Sequence, residues 1–492
     1  MTSRPAATRR EGRPGMGLPP MGLPGPGRPL PGQPAFVALG SNVGDRRAHL
    51  EAALSALATT PGVRVAAVSA AFQNPPVGGP PQDDYWNAVA ELVTTLPPEA
   101  LAARLHAIEA AAGRVRTVAA APRTLDLDLL SCGDDVSRSA TLELPHPRAT
   151  GRAFVLAPWV ELAPDAVVPG TGASVLAHAT RLRARDPAAF ASLRRVALLR
   201  VATPKAARPE VLPDAEALAA WRARVEGTVG LVPTMGALHE GHASLARRAR
   251  AACDAVLATI FVNPLQFGPT EDLARYPRTF DADLDLLAGV GADAVYAPTV
   301  DDLYPAGFST HVDVDGPTAG FEGAARPGHF RGVATVVAKL LARARPDRAW
   351  FGRKDAQQVA VVRRMHADLD LPGTVVVAPT VRDVDGLALS SRNRYLTPDE
   401  RARALAIPRA LDAARALAAT GERRRDALVA AARAVLDAAH DVAPAYVEVV
   451  DPARFAPLAA LGETPALLVI AAKVGTTRLL DNEWLLAPGG AA

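Results

Sequence analysis

The chain has 492 residues, 49% of them apolar and 21% charged, with a formal net charge of +3. That length exceeds a single hydrophobic core and predicts roughly three domains. The small net charge, with no massed run of lysine and arginine, excludes a nucleic-acid footprint. Cys132 and Cys253 stand in unrelated segments, which excludes a disulfide framework and suits a reducing compartment. With no apolar stretch of ~18–20 residues and no signal-peptide core at the N-terminus, the sequence reads as cytoplasmic, with no membrane and no nucleic-acid partner.

Residues 1–33 are rich in Pro, Gly and Arg and predict a disordered tail; Met16 and Met21 lie inside it and offer later translational starts. Order is expected from Ala35. Phe36–Leu39 reads as a short buried strand closed by Gly40-Ser41-Asn42, followed by a helix over 46–58, strands at 63–72 and 87–95, and a helix over 98–112 with prolines at its start and Gly113 at its end. A strand at 124–130 and a helix at 152–162 complete a domain over 34–165, built on a mixed or antiparallel sheet. Between 166 and 209 the pattern loosens into a C-terminal extension and linker. From Val229 strands and helices alternate, the signature of a parallel, doubly wound sheet over 210–385. Ala/Arg-rich helices and a few terminal strands then form a smaller domain over 386–488.

The strand Arg123-Thr124-Leu125-Asp126-Leu127-Asp128-Leu129-Leu130 places Asp126 and Asp128 on one face and three leucines on the other. Two carboxylates roughly 7 Å apart along a strand suit a pair of Mg²⁺ ions on a polyphosphate; an edge strand with two solvated acids is the plain alternative. The neighbours favour the metal. Gly113-Arg114-Val115-Arg116, Arg123, and Pro145-His146-Pro147 with Arg152 bring cations to the strand, while Asn74-Pro75-Pro76-Val77-Gly78 and Asp84-Tyr85-Trp86-Asn87 offer amides and an aromatic face to a flat heterocycle.

With Ala38-Leu39-Gly40-Ser41-Asn42 at the front, these motifs stand in the order of 6-hydroxymethyl-7,8-dihydropterin pyrophosphokinases, and residues 35 to about 165 resemble that family. The resemblance implies a ferredoxin-like α+β fold and transfer of the β,γ-pyrophosphoryl group of ATP to a pterin hydroxymethyl. It implies that Asp126 and Asp128 hold two Mg²⁺ ions, that Arg114 and Arg123 act catalytically, and that Arg116, His146, Arg152 and Glu109 serve the nucleotide. Asn74, Pro75, Val77, Tyr85, Asn87 and Phe154 would hold the pterin. The sequence departs from the family at Thr117–Pro122, where an Arg-Trp pair is common and one residue more, and at Asn74 and His106, where threonine and glutamine are common.

Downstream, Pro233-Thr234-Met235-Gly236-Ala237-Leu238-His239-Glu240-Gly241-His242 lies between a strand and a helix, where backbone N–H groups favour phosphate. His239 and His242 share one face of the first turn. Zinc binding is the rival reading, but no third ligand stands at metal-motif spacing. Phe261-Val262-Asn263-Pro264-Leu265-Gln266-Phe267, Arg326-Pro327-Gly328-His329-Phe330-Arg331-Gly332, Phe351-Gly352-Arg353-Lys354-Asp355-Ala356-Gln357-Gln358 and Ser390-Ser391-Arg392-Asn393 follow, the first at the carboxyl edge of a strand.

This set, over 210–488, resembles the pantothenate synthetases, a family of nucleotidyl-transferring enzymes, and implies a Rossmann-like domain with a small α+β domain behind it. The chain as a whole is thus expected to be multidomain, α+β then α/β. The implied chemistry is ATP-dependent condensation of pantoate with β-alanine through a pantoyl adenylate. By resemblance His239, His242, Lys354 and Arg392 are catalytic, Met235, Gly352, Asp355, Ser390 and Ser391 bind ATP, and Gln266, Gln358 and Asn263 hold pantoate. Arg326 and His329 line the β-alanine pocket. Asp283, with Asp281 beside it, is the candidate for one Mg²⁺ accompanying ATP. The resemblance further implies a homodimer. Three other readings compete: a vestigial N-terminal half behind a working synthetase, a nucleotide-binding scaffold without turnover, and an aminoacyl-tRNA synthetase. The lack of a tRNA-binding extension and the modest charge speak against the last.

Overall fold

The computed structural model describes residues 32–76, 78, 80–114, 122–139, 141–201, 207–268 and 273–488. The expected tail up to Pro31, Val77, Arg116 and most of the departing loop therefore lie outside the described residues, while Gln33, expected in the tail, is in a strand. The described residues form one compact unit.

The first module runs β1 (Gln33–Ser41), α1 (Arg46–Ala58), β2 (Val63–Val68), β3 (Ala70–Asn74), β4 (Tyr85–Thr94), α2 (Pro98–Ala111), β5 (Asp126–Cys132), the two-residue strands β6 (Ser137–Arg138) and β7 (Glu143–Leu144), α3 (Ala153–Leu162), α4 (Val175–Arg185), α5 (Pro187–Ala191) and β8 (Arg194–Leu198). The main sheet has the order β5-β1-β4-β3-β8, with β2 also on β4, and every pairing in it is antiparallel. The alternation read in β5 is present. Leu125, Leu127 and Leu129 are buried in the core beneath α1 and α2, and Asp126 and Asp128 are on the half-buried opposite face. The stretch expected as linker is largely folded. It supplies α4, α5 and β8, and β8 pairs with β3 to extend the sheet.

The second module contains β9 (Glu210–Leu212), α6 (Ala215–Arg224), β10 (Val229–Val232), α7 (Glu240–Ala252), β11 (Ala255–Thr259), α8 (Phe280–Gly289), β12 (Ala294–Tyr296), α9 (Val300–Leu303), α10 (Phe321–Ala325), α11 (His329–Ala344), β13 (Arg348–Gly352), α12 (Ala356–Asp368) and β14 (Thr374–Ala378). Its sheet, β14-β13-β10-β11-β12-β9, is parallel throughout. All residues of β10 and β11 are buried, as expected of strands covered by helices on both faces. The third module packs α13 (Pro398–Ala404), α14 (Ala406–Ala419) and α15 (Arg425–Asp437) against the antiparallel sheet β15 (Val442–Val450), β16 (Ala466–Val474) and β17 (Thr477–Leu486).

The modules share surfaces. Leu176 of α4 is buried in a cluster with Ala360, Val450, Phe455 and Trp484. Arg248 of α7 reaches back to Glu91 at 2.5 Å and to the Leu162 carbonyl at 3.1 Å, and Arg195 of β8 donates to the Asp383 carbonyl at 2.8 Å.

Candidate active sites

Parallel α/β sheets present their loops to ligand at the carboxyl ends of the strands, and the second module builds a cavity of about 280 Å³ there. Met235, His239, His242, Gln266, Arg326, His329, Gly352, Lys354, Asp355, Gln358, Ser390, Ser391 and Arg392 all line it. These residues come from loops and helix starts far apart in the chain, after β10, β11, β13 and β14, and from the turn between α10 and α11.

The histidines sit where α7 begins. His239 is its N-cap, and its Nδ1 accepts the Gly241 N–H at 3.1 Å; the Nδ1 of His242 accepts the His239 N–H at 3.3 Å. A ring nitrogen that accepts from an N–H carries no proton, so each neutral ring bears its proton on Nε2. Burial, aided by His242 and then Lys354, pushes His239 down to about 3. Burial also lowers His242 to about 4, against the opposing pull of Asp355. The pair, 4.2 Å apart between ring centres, is therefore two neutral N–H donors at neutral pH.

The loop ahead of the pair is held from below. Asp283 on α8 is 2% exposed, and its carboxylate accepts from the N–H groups of Ala237 (2.9 Å) and Leu238 (2.8 Å) and from the Thr279 hydroxyl (3.0 Å). This corrects the expectation that Asp283 binds Mg²⁺: both oxygens are taken by the loop, and Ala237 is held at φ 52 by those contacts. Asp281 does not replace it, since its exposed side chain pairs with Arg208 at 3.1 Å. Among the described residues no group of three His, Cys, Asp or Glu is placed to hold a metal.

Gln266 is fixed by three partners, Asn263, His329 and Arg326. Asn263, 1% exposed, does not line the cavity as expected; it lies beneath it and donates to Gln266 Oε1 at 2.9 Å and to the Gly332 carbonyl at 3.1 Å. Its Oδ1 accepts from the Tyr304 hydroxyl at 2.8 Å. His329 and Arg326 contact the Gln266 carbonyl at 2.8 and 3.2 Å, so both shape the turn as well as face the cavity. Lys354 is 3.1 Å from Asp355, and Ser390 Oγ caps the Arg392 N–H at 3.3 Å. Gln357 stands in the Phe351–Gln358 motif without an expected role; it lines the cavity, and its buried amide accepts from the Glu322 N–H and donates to the Pro317 carbonyl. The chain motifs do not single out Asn482 of β17, which donates to the carbonyls of Arg353 and Lys354, 2.9 Å each.

In the first module Asp126 sits between two guanidiniums, Arg114 at 2.7 Å and Arg123 at 2.5 Å. Asp128 lies 3.8 Å from His146 Nε2. Burial lowers His146, Asp128 opposes that, and Arg152 and Arg148 reinforce it. Glu109, expected beside the nucleotide, is instead 2% exposed; its Oε1 accepts the Leu127 N–H at 2.7 Å and pairs with Arg114. It therefore anchors Arg114 to the back of β5. Asn87 donates to Asn74 Oδ1 at 2.6 Å, Asn74 to the Pro75 carbonyl at 2.8 Å, and the Tyr85 hydroxyl to Gln82 at 2.9 Å. Arg152 lies over the Phe154 ring at 5.4 Å. Asn42 ties the two edges of the site by accepting the Arg123 N–H at 2.8 Å and donating to Gln82 at 2.9 Å. Two carboxylates on one open face suit Mg²⁺, which completes its shell with water and substrate phosphates.

The model of the family Pantoate-beta-alanine ligase matches residues 210–484, and that of 7,8-dihydro-6-hydroxymethylpterin-pyrophosphokinase (HPPK) matches residues 36–164. A pantothenate synthetase of Roseiflexus sp. (strain RS-1) is 57% identical over 261 residues, covering 53% of this chain and 94% of that protein. That of Roseiflexus castenholzii is 56% identical over 263 residues, 54% of this chain and 94% of that protein. The crystal structure of pantothenate synthetase from Thermus thermophilus is 46% identical, with a TM-score of 0.54, covering 56% of this chain and 99% of that one. Through residues 210–484 the chain belongs to the pantoate-beta-alanine ligase family, and a domain of the HPPK family precedes it in the same polypeptide.

Proposed function

We propose that the chain is a bifunctional enzyme whose halves each consume ATP and leave AMP. In the ligase half the carboxylate of pantoate attacks the ATP α-phosphorus, pyrophosphate leaves, and the amine of β-alanine then attacks the acyl carbon and expels AMP. The observation that carries this reading is the histidine pair. Two imidazoles kept neutral, with Nδ1 pinned by backbone N–H, present Nε2–H donors to departing phosphate without an acid–base step. Lys354 and Arg392 neutralise the polyphosphate, Lys354 as a point charge and Arg392 as a fork. Met235, Gly352, Asp355, Ser390 and Ser391 position the nucleotide. Gln266 and Gln358 hold pantoate, and Arg326 and His329 border the β-alanine end. No protein nucleophile is required, so catalysis rests on alignment and charge.

In the pyrophosphokinase half the pterin hydroxymethyl oxygen attacks the ATP β-phosphorus and AMP departs. Asp126 and Asp128 would hold Mg²⁺, which neutralises polyphosphate charge when bound. Arg114, Arg123, Arg116, His146 and Arg152 contact the phosphates, and Asn74, Pro75, Val77, Tyr85, Asn87 and Phe154 form the pterin pocket. Glu109 acts through Arg114. We place the protein in the cytoplasm, in keeping with its two buried free cysteines, and expect a homodimer. Pyrophosphate release that depends on pantoate tests the ligase assignment; release driven by an amino acid instead points to a synthetase of another class.

A further inference from the structure

Between the two halves lies a second cavity, of about 470 Å³, that neither proposed reaction uses. One wall comes from α3, α4, α5 and β8, the other from the segment after β14, α14 and β17. Its polar lining is dominated by guanidiniums, and most are matched. Arg195 pairs with Glu161, Arg382 holds Asp481 at 2.5 and 3.0 Å, and Arg415 pairs with Asp412.

Glu483 is shared among the cluster, 3.7 Å from Arg353, 3.7 Å from Arg382 and 3.9 Å from Arg415, and with Asp412 it also faces Arg183. Arg353 is 9% exposed, 3.7 Å from Glu483, and its Nε has no hydrogen-bond partner. Arg183 has neither a hydrogen bond nor an ion pair among the described residues; its guanidinium rests on the Phe190 ring at 4.6 Å. Arg415 Nε and the hydroxyl of Thr380, itself 8% exposed, are also buried without partners. Burial, and then the neighbouring Arg415, push Arg183 down to about 10. Arg183 is half-buried and makes no direct pair with the nearby Asp412 and Glu483, so its fork is left to match the oxygens of a phosphate. Beside these groups the wall is apolar, with Leu176, Phe190 and Leu411. A cavity of this size, with convergent charged groups beside an apolar wall, can admit a small molecule.

We propose that this cavity is a third ligand site, one that binds a phosphate-bearing small molecule with its phosphate on Arg183, Arg353 and Arg415 and its body against the apolar wall. AMP, the phosphomonoester both halves generate, is the natural organic probe. Its choice rests on the functions proposed above, whereas the phosphate chemistry does not.

The test is equilibrium dialysis of the full chain with radiolabelled AMP and, separately, inorganic phosphate, with α,β-methylene-ATP saturating both ATP sites. Binding of the analogue, measured first, reports on those two sites independently. The expected result is one further equivalent of ligand per chain, weakened at least tenfold by Arg183→Ala and Arg183→Gln and partly retained by Arg183→Lys. Turnover of both halves should be unchanged in all three variants. Retention of inorganic phosphate alone supports the site and identifies free phosphate as its occupant. Absence of any further binding with the ATP sites filled, or binding indifferent to Arg183→Ala, overturns it.

Discussion

Asn482 of β17 donates one hydrogen bond to the carbonyl of Lys354 and another to that of Arg353, each 2.9 Å long, so the C-terminal sheet holds the loop that carries the proposed catalytic lysine. Asn482 is 2% exposed, and truncation leaves two carbonyls unpaired where water has little access. Each such loss costs about 1–3 kcal/mol, and a reacting group displaced by a fraction of an ångström loses rate more than affinity. Asn482→Ala is expected to lower ligase kcat about tenfold or more, with KM for ATP little changed and the pyrophosphokinase rate untouched. Steady-state kinetics of both halves on one preparation check this; an equal loss in both activities would mean general unfolding instead.

Asp283 is a loop anchor in this structure. Asp283→Asn keeps its shape but turns an NH₂ group toward backbone N–H donors that the carboxylate now satisfies. Ligase kcat should fall about ten- to a hundredfold, while the Mg²⁺ concentration giving half-maximal rate stays that of the parent. A titration in which the variant needs much more Mg²⁺ restores the metal reading.

Gly332 lets α11 approach the Pro264–Gln266 turn. A Cβ placed there would lie 2.0 Å from the Leu265 carbonyl oxygen and 2.4 Å from its carbon, both backbone atoms that cannot swing aside. Gly332→Ala should therefore push Gln266 out of place, raising KM for pantoate and lowering the melting temperature of the ligase half. A variant with wild-type KM and stability contradicts the packing described.

Protonation gives a further check. His239 and His242 titrate near 3 and 4 in the fold, against an ordinary value of 6.5. The unfolded chain therefore takes up protons first. The stabilising contribution is complete above about 6.5 and is lost as pH falls toward 4 and then 3. Urea unfolding at pH 7.5 and 5.5 should show lower stability at the acid value, and His239→Gln should flatten that difference. The ligase rate should likewise show no inflection near 6.5 from these rings; an inflection there that vanishes in His242→Gln would contradict the neutral-pair geometry.

Much of this architecture was legible locally. The helix over 46–58 and the strand Val229–Val232 match α1 and β10 residue for residue, because capping, apolar spacing and β-branching act within a few positions. The short edge strands β8 and β9 carry little local signal of their own. Three to five residues carry little periodic signal, and their pairing partners are β3 and β12, distant in sequence. The same limit explains the site. Motif spacing located His239, His242 and Lys354, which now face one cavity, but it cannot say that Asp283 points at a backbone loop or that Glu109 is sealed behind Leu127. A carboxylate reads alike in sequence whether it faces metal, nucleotide or main chain. Long-range hydrogen bonds such as that of Asn482 leave no local trace at all.

One polypeptide is proposed to carry two independent AMP-forming activities. This is tested most directly by AMP production from Mg-ATP with 6-hydroxymethyl-7,8-dihydropterin, and separately with pantoate plus β-alanine, using wild-type protein, Asp128→Ala and His242→Ala. AMP is expected from both substrate sets, with Asp128→Ala silencing only the pterin reaction and His242→Ala only the ligase. No AMP with the pterin, alongside normal ligase turnover, would contradict that proposal and leave a pantothenate synthetase behind a vestigial N-terminal domain.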